Sequence, residues 1–440
     1  MRIQLSDHFT YRKLLRFTVP SIVMMVFTSI YGVVDGFFVS NFVGKTPFAA
    51  VNFIFPLLMI FGAVGFMFGS GGSALIAKTL GEGNIEKARR LFSLFVYLTI
   101  GIGVVLTVIG FLCIRPVAAW LGANGELLEH CVLYGRIILL ALPAQMLQFE
   151  FHSFFVTAEK PQLGLYVTLA AGITNMVLDA LLVIPFGLVG AAIATAASQV
   201  VGGVVPLLYF MRKNDSLLRL TSTRYDGAAV FKAATNGMSE LLSNISMSAV
   251  SMLYNAQLID YAGENGVAAY GTMMYVSFVF VSIFIGYSVG TAPVIGYHYG
   301  AQNCTELQGI LRKSLMIVLI GSVGMLVISE VLAAPLSSVF VGYDRELFEM
   351  TRKGFVIFSF SFVFSGLPIF GSSFFTALNN GPVSALISFL RTVVFQVGAV
   401  LLLPLIWGID GIWFSLVVSE MAASVIAVVC LMACRKRYGY

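Results

Sequence analysis

Charged side chains are scarce along this chain. They make up 11% of its 440 residues, against about 25% in an ordinary soluble domain. Hydrophobic residues account for 58% of the chain, and the mean hydropathy is +0.92. Because so few charges cannot cover the surface of a soluble protein of this length, the composition indicates an integral membrane protein and excludes a soluble globular one.

Cysteine is also rare, and the motifs of several enzyme classes are missing. The five cysteines are odd in number and lie mostly in apolar surroundings, so we predict free packed thiols rather than disulfides or a metal cluster. The sequence has no glycine–lysine phosphate loop, no HExxH motif and no lysine in the middle of a span. We therefore expect a protein that is not an enzyme and that has no cofactor.

Long apolar runs, in contrast, are abundant in this sequence. Runs of the length that crosses a bilayer as a helix recur along the whole sequence. We predict twelve spans, each to within a few residues, at 17–42, 49–79, 91–114, 128–156, 163–185, 188–211, 234–260, 268–298, 314–334, 354–378, 382–405 and 409–434.

Two patterns of the first half recur in the second half. The glycine-rich run at 69–74 returns at 288–292, and Gly187-Leu188-Val189-Gly190 returns as Gly408-Ile409-Asp410-Gly411. The offset in numbering is 219 for the first pattern and 221 for the second. Repeats of this kind are typical of transporters that hold their substrate between two lobes. The predicted fold is an all-α membrane protein with twelve transmembrane helices in two six-helix, pseudo-symmetric lobes around a central cleft.

The polar, basic segment at 212–232 divides the two lobes, which gives a first lobe at 1–211 and a second at 233–440. If the twelve spans cross the membrane in turn, nineteen of the 26 basic residues lie on the same side as the N-terminus, and five lie on the opposite side. Positive charge marks the cytoplasmic side, so we expect both termini in the cytoplasm and the chain in the plasma membrane. With six helices in each half, the repeats are parallel.

Four polar residues of the first half form a candidate ion site. A carboxylate at the bilayer centre costs about 2.5–3.5 kcal/mol on insertion scales, and Asp35 has no lysine or arginine within helical reach. Asn175 and Asp179 are four residues apart, so both side chains face the same way. With Thr195 they offer only oxygen ligands, which suit a proton or a hard cation such as sodium rather than a transition metal.

Other in-span residues are candidates for different roles. Glu150 and Glu240 are candidates for the wall of the central cleft, where they would attract a cationic substrate, although Glu150 fits equally well as a structural residue paired with His152 or an arginine. We expect Arg391 to be a structural partner of a buried acid or carbonyl. Pro20 precedes Asp35 on the same helix by about four turns, and a hinge there would move the acid.

In their order and spacing, several of these elements resemble the multidrug and toxic compound extrusion (MATE) family along nearly the whole chain. The elements are Val34-Asp35-Gly36, the Gly-Glu-Gly-Asn turn at 81–84, the run from Asn175 to Thr195, the run at 408–413, and Ser419-Glu420. The resemblance implies secondary active export of bulky aromatic or cationic compounds, driven by protons or sodium ions.

The resemblance also assigns roles to residues. It implies that Asp35 and Asp179 couple transport to the ion, that Asn175 and Thr195 complete a possible sodium site, and that Glu240 matches the glutamate of the seventh span. The region from 354 to 378 has no acid, and 158–161 reads Ala-Glu-Lys-Pro instead of Arg-Ala-x-Gly. Both departures favour the branches of the family that rely on the acids of the first lobe.

Three other functions compete with drug export. A lipid-linked oligosaccharide flippase of the same superfamily would need a cationic cavity, and a membrane-embedded enzyme or sensor would need a buried nucleophile, a metal cluster or a soluble domain. A channel would need a filter motif. We expect drugs or organic cations and membrane lipid as partners, no nucleic acid, and a monomer.

Overall fold

The computed structural model describes residues 3–341 and 344–440. Every regular element in these two ranges is helical, as predicted. The helices are α1 (Tyr11–Phe42), α2 (Lys45–Gly81), α3 (Ile85–Trp120), α4 (Gly125–Leu140), α5 (Leu142–Thr157), α6 (Pro161–Met211), α7 (Gly227–Gly300), α8 (Cys304–Val341), α9 (Arg345–Ser359), α10 (Ser361–Ala377), α11 (Gly381–Phe389), a π-helical turn (Leu390–Phe395), α12 (Gln396–Leu402), α13 (Pro404–Trp407) and α14 (Ile409–Tyr438).

The helices make up the twelve predicted spans. Among the described residues, eight stretches are long and apolar enough to cross a bilayer, and the bent pairs α4–α5 (58°) and α9–α10 (45°) raise the number to ten. α6 and α7 are each broken by a glycine, Gly187 with φ 55° and ψ −129° and Gly263 with φ 62° and ψ −152°, a conformation that glycine alone adopts readily. Each of the two helices therefore crosses twice, and the total is twelve.

The two halves repeat the same backbone corners. Gly408, which ends α13, has φ 57° and ψ −136°, nearly the angles of Gly187 in the first half. Glu159 and Asn379 are non-glycine residues with positive φ, 59° and 58°, and their numbers differ by 220. The sequence repeat is therefore also a structural repeat.

The halves touch through glycines, which we call the glycine seam (Gly71, Gly81, Gly237, Gly286, Gly290 and Gly300). A Cβ atom on Gly81 of α2 would clash with the carbonyl oxygen of Tyr297 on α7, and one on Gly300 would clash with that of Lys78. The two contacts are reciprocal, since 81 and 300, like 78 and 297, differ by 219. The two halves therefore approach each other closely at this pair of glycines.

Other glycines of the seam also lie where a side chain would clash with the opposite half. A Cβ atom on Gly71 would clash with Ala233 and Gly237 of α7, and one on Gly290 would lie 3.0 Å from Thr18 of α1. These contacts lie in the parts of α1, α2 and α7 nearest the end of the bundle that carries Lys78, which we call the basic face.

The chain ahead of α1 also joins the two halves at the basic face. The Leu5 N–H donates a hydrogen bond to Glu159 Oε1 (2.8 Å), and the Phe9 N–H donates one to Glu306 Oε1 (2.8 Å). Lys313 Nζ donates to the Phe9 carbonyl oxygen at 2.6 Å. Glu159 belongs to the first half and Glu306 to the second, so this short segment bridges them.

Helix α7 begins within the polar segment at 212–232. The Asp226 side chain accepts hydrogen bonds from the Ala228 and Ala229 N–H groups and caps α7, which begins at Gly227. Capping by an aspartate is a strong start signal for a helix, and it places the start of α7 inside the segment at 212–232.

Candidate functional site

The break at Gly187 brings two parts of α6 side by side. Asp179 precedes Gly187 by eight residues and Thr195 follows it by eight, so both lie about 12 Å from the turn at 1.5 Å per residue. A Cβ atom on Gly190 would clash with the carbonyl oxygen of Leu182, so the second part of α6 returns in close contact with the first. The sequence thereby sets Asp179 and Thr195 at the same depth.

The four predicted ion-site residues come together between α1 and α6. Thr195 Oγ1 donates a hydrogen bond to Asp35 Oδ1 at 3.3 Å, and Asn175 and Asp179 face the same Asp35 carboxyl group. Asp179 is fully buried, and Asn175 is 1% exposed.

The inner members of this group have unused oxygen atoms. Neither carboxylate oxygen of Asp179, nor the amide oxygen of Asn175, has a hydrogen-bond partner among the residues that the structure describes. Buried polar atoms are nearly always paired, so unpaired oxygens beside a second carboxyl group are suited to receive a proton or a small cation. The described ranges contain no group of three His, Cys, Asp or Glu side chains that would hold a metal.

Two tyrosines complete the site, and neither was predicted from the sequence. Tyr134 of α4 is 3% exposed, and its side chain faces Asp35, Asp179 and Thr195. Tyr31 precedes Asp35 by one helical turn and lies between Asp35 and Gln148 of α5. The four-residue spacing was a usable signal for Tyr31, whereas nothing in the sequence pairs α4 with α1.

Glu150 lies apart from this group. It is fully buried on α5, and its carboxyl group faces Thr99 of α3, while Gly69 of α2 packs on its backbone. Both carboxyl oxygens lack a hydrogen-bond partner within the described residues, and so do both ring nitrogens of His152. The structure therefore does not pair Glu150 with His152, and it does not bring Glu150 together with Glu240.

Glu240 lies in the second half, beside an ion pair. It is half-buried on α7, and the charged group that acts on it is the Arg391 guanidinium. Arg391 is bound to the buried Glu420 of α14, with Nη2 2.8 Å from Oε1. The prediction that Arg391 is the partner of a buried acid is confirmed.

Pro20 lies in α1 at the edge of the glycine seam. The helix continues without interruption across it, and the neighbouring Thr18 and Ser21 contact Gly290 and Gly286 of α7. A change of bend at Pro20 would therefore act on the contact between the halves as well as on Asp35.

Comparison with known proteins identifies the family. A family model described as MatE matches residues 20–181 and, a second time, residues 241–401. The chain belongs to the MatE family. The two MatE matches begin at positions 20 and 241, and this difference of 221 agrees with the offset between the repeated motifs and confirms the duplication.

Multidrug export proteins match over almost the whole chain. The multidrug export protein MepA of Staphylococcus saprophyticus is 25% identical, over 97% of this chain and 94% of its own length. MepA of Staphylococcus haemolyticus is also 25% identical over the same shares. A crystal structure titled as MATE in complex with MaL6 aligns with a TM-score of 0.92 at 23% identity, covering 98% of both chains. The fold is thus that of the two-lobe, twelve-helix MATE transporters, and the chain is a multi-pass membrane protein.

Proposed function

We propose that this MATE family member exports aromatic or cationic small molecules by antiport with protons or sodium ions. The observation that carries the proposal is the convergence of Asp35 and Asp179 with Asn175 and Thr195 inside the membrane. The names of the relatives, which are multidrug export proteins, support the same activity.

Ion coupling follows from the closeness of the two carboxyl groups. Two neighbouring carboxylates in a poorly solvated site repel each other, and a proton or a sodium ion bound between them removes the repulsion. The free oxygens of Asp179 and Asn175 and the Thr195 hydroxyl would complete the ligands. The site would serve either ion, because both bind oxygen.

The movement that follows ion binding would pass along α1. Asp35 lies about four helical turns beyond Pro20, and the neighbouring Thr18 and Ser21 contact the glycine seam. When the charge at Asp35 is neutralised, α1 can repack against α6, and a bend at Pro20 would then alter the seam. Each ion that enters contributes about 2.3 kcal/mol per 100 mV, which corresponds to a drug gradient of about fiftyfold.

The orientation of the chain follows from its charges. We place the basic face and both termini in the cytoplasm, and the protein in the plasma membrane as a monomer with lobes at 1–211 and 233–440 joined by the linker at 212–232. Since the halves meet near the basic face, this conformation would be open to the outside. A solved MATE structure described as outward-facing aligns with a TM-score of 0.91.

Substrate recognition is proposed at Glu240, which is half-buried and borders the seam between the halves. Glu150 stays a prediction as a cleft residue, since in this conformation α2 and α3 enclose it. A flippase would need free cationic side chains in the cleft, whereas Arg391 forms an ion pair with Glu420.

Efflux of ethidium from proteoliposomes tests the proposal. A sodium gradient and a proton gradient are imposed separately on wild type and on Asp35→Asn, which keeps the size of the side chain and removes its charge. We expect one gradient to drive efflux in wild type and neither to do so in the variant. Efflux by Asp35→Asn at the wild-type rate would refute the coupling site, and no efflux by folded wild type would refute drug antiport.

A further inference from the structure

A small cavity lies at the basic face, beside the glycine seam. Parts of α2, α3 and the start of α7 form its walls, and the charged residues among them are Lys78, Glu82, Lys87, Asp226 and Lys232. Its volume is about 250 Å³, which is below the roughly 300–1,000 Å³ of pockets for drug-sized ligands. The cavity therefore suits a small polar ligand and has walls from both halves.

The internal repeat relates this cavity to a second place at the basic face, which we call the counterpart site. An offset of 219 leads from Lys87 to Glu306, and each is the third residue of its helix. The Lys87 N–H donates a hydrogen bond to Asn84 Oδ1 at 3.0 Å. The Glu306 N–H donates one to Asn303 Oδ1 at 3.1 Å. The two side chains therefore start from equivalent backbone positions.

The chain ahead of α1 fills the counterpart site. The Phe9 ring is fully buried and lies edge-on to the His298 ring, with 6.4 Å between the ring centres. The Phe9 N–H donates to Glu306 Oε1 at 2.8 Å, and His8 Nδ1 lies 2.7 Å from Glu306 Oε2. Both oxygens of this carboxylate therefore have partners from the same short segment.

Smaller side chains explain why the cavity beside α7 is open. An offset of 219 leads from Phe9 to Ala228 and from His298 to Thr79. Ala228 and Thr79 both line the cavity. A methyl group and a threonine side chain therefore stand where the counterpart site has two aromatic rings, and the difference in volume accounts for the cavity.

The charge beside the cavity is reversed as well. Glu306 accepts the Phe9 N–H, but the ammonium group of Lys87 cannot accept a hydrogen bond. The equivalent Ala228 N–H donates to Asp226 Oδ1 instead, at 3.1 Å. Lys87 is exposed, and its ammonium group forms no hydrogen bond or ion pair within the described ranges. A bare positive charge thus replaces a satisfied negative one.

Two other lysines line the cavity, one from each half. Lys78 Nζ lies 3.6 Å from Glu82 Oε1. Lys232 Nζ donates a hydrogen bond to the carbonyl oxygen of Asn379 at 2.7 Å, which is a neutral partner. Because three lysines face two carboxylates in the cavity, one positive charge is in excess. The ammonium groups without a carboxylate partner are those of Lys87 and Lys232.

We propose that this cavity binds a phosphate group, held by Lys87 from the first half and by Lys232 from the second. Lysine binds phosphate as a point charge, and the exposed Glu82 and Asp226 show that the cavity is reached from water. The bound anion joins the halves at the basic face, as the segment ahead of α1 does at the counterpart site. Soluble phosphate compounds and the headgroups of anionic lipids both carry such a group.

Thermal melting of the purified full-length protein measures this binding without transport. Inorganic phosphate replaces chloride at constant ionic strength, in detergent without added lipid. We expect the melting temperature to rise and then saturate, because a ligand that binds only the folded state stabilises it. The same measurement with phosphatidic acid in mixed micelles, and with phosphatidylcholine as its control, identifies the source of the group.

The two ligands give distinct outcomes. A saturable rise with inorganic phosphate alone assigns a soluble phosphate compound, and a rise with phosphatidic acid alone assigns a lipid headgroup. A rise with neither would overturn the proposal. Wild type that binds the anion but shows no gradient-driven efflux would leave this inference standing and refute the antiport function.

Lys87→Gln and Lys232→Gln test the two halves separately. Each removes one ammonium group, and the loss of one charge-assisted contact should raise the concentration of the active ligand at half of the rise about tenfold. Lys213→Gln, in the loop after α6 and outside this cavity, removes the same charge and should respond as wild type. An equal loss in all three variants would show a general attraction of the basic face for anions and would overturn the proposal. A wild-type response in Lys232→Gln would overturn the bridge between the halves.

Ala228→Phe tests the location of the site. It places at Ala228 the ring that Phe9 supplies at the counterpart site, so the ring should fill the cavity and abolish the response to the anion. Ala228→Ser adds only one atom and should respond as wild type. A full response in folded Ala228→Phe would show that the anion binds elsewhere. The lysine variants keep the proposal testable if Ala228→Phe does not fold, because Lys87 is exposed.

Discussion

The Tyr254 hydroxyl oxygen lies 2.6 Å from the Ser415 hydroxyl oxygen, at the place in the second half that corresponds to the contact of Asp35 with Thr195. The offsets in numbering are 219 and 220, and Gln396, which also faces Tyr254, corresponds to Asn175 at an offset of 221. The second half thus holds neutral hydroxyl and amide groups where the first half holds a carboxylate. This difference explains why we assign ion coupling to the first half alone.

The hydrogen bond from Thr195 to Asp35 gives the first prediction. Thr195→Val removes the donor and one ligand oxygen, and a hydrogen bond to a charged group is worth about 1.5–3 kcal/mol. We expect the ion concentration that gives half-maximal efflux to rise at least tenfold, and Thr195→Ser to stay near wild type. Ser415→Ala in the second half is the matched control and should leave the ion dependence unchanged. An equal effect of both substitutions would contradict the assignment.

Tyr134 gives the second prediction, because its hydroxyl group faces both acids. Tyr134→Phe keeps the ring and removes the hydroxyl group, so the fold should persist while the ion dependence of efflux shifts several-fold. Tyr254→Phe makes the same change at the neutral site of the second half and should shift the ion dependence much less. Titration of efflux with the driving ion distinguishes the two, and an unchanged curve for Tyr134→Phe would remove this residue from the site.

The turn at Gly187 gives the third prediction. At φ 55° and ψ −129°, an alanine is strained by about 1–3 kcal/mol, and relief of the strain would move Thr195 relative to Asp179. We expect Gly187→Ala to melt at a lower temperature and to need more ion for half-maximal efflux. Gly101→Ala, on α3 with no atom beyond its own helical backbone within 4 Å of the added carbon, should match wild type in both measurements.

The glycine seam gives the fourth prediction. Gly81→Ala pushes a methyl group against the Tyr297 carbonyl, and overpacking costs about 1–3 kcal/mol, so the halves should separate at the basic face. A cysteine placed at Ala74, which is 1% exposed, would then react faster with a soluble maleimide in a background without native cysteines. Gly324→Ala, in open space, should leave the reaction slow. A slow reaction in Gly81→Ala as well would show that the seam tolerates the methyl group.

The sequence was sufficient to predict the twelve spans and the repeat, because a bilayer imposes one length and one polarity on every helix. It also led to Asp35 and Asp179, since a bare acid in an apolar helix is conspicuous. It did not lead to Tyr134, because an aromatic residue in a span is ordinary and only the packing of α4 on α6 gives it a role.

The direction in which the Glu150 side chain points could not be predicted from the sequence either. Nearly every residue of α5 is buried, so its sequence has no polar face from which to read the rotation of the helix. Gln148 faces α1 and α6, whereas Glu150, about 200° further round the helix, faces α3. The sequence shows that an acid lies in this span, but it does not show which residues surround that acid.

The reciprocity of Gly81 and Gly300 has a consequence for the symmetry of the molecule. Each half offers the other the same glycine and the same carbonyl, which is the rule of an isologous interface between two identical subunits. The two halves therefore contact each other as the two subunits of a homodimer would, and the pseudo-twofold axis passes between Gly81 and Gly300. The two halves therefore differ in their buried polar groups, although the glycine contact between them is symmetric.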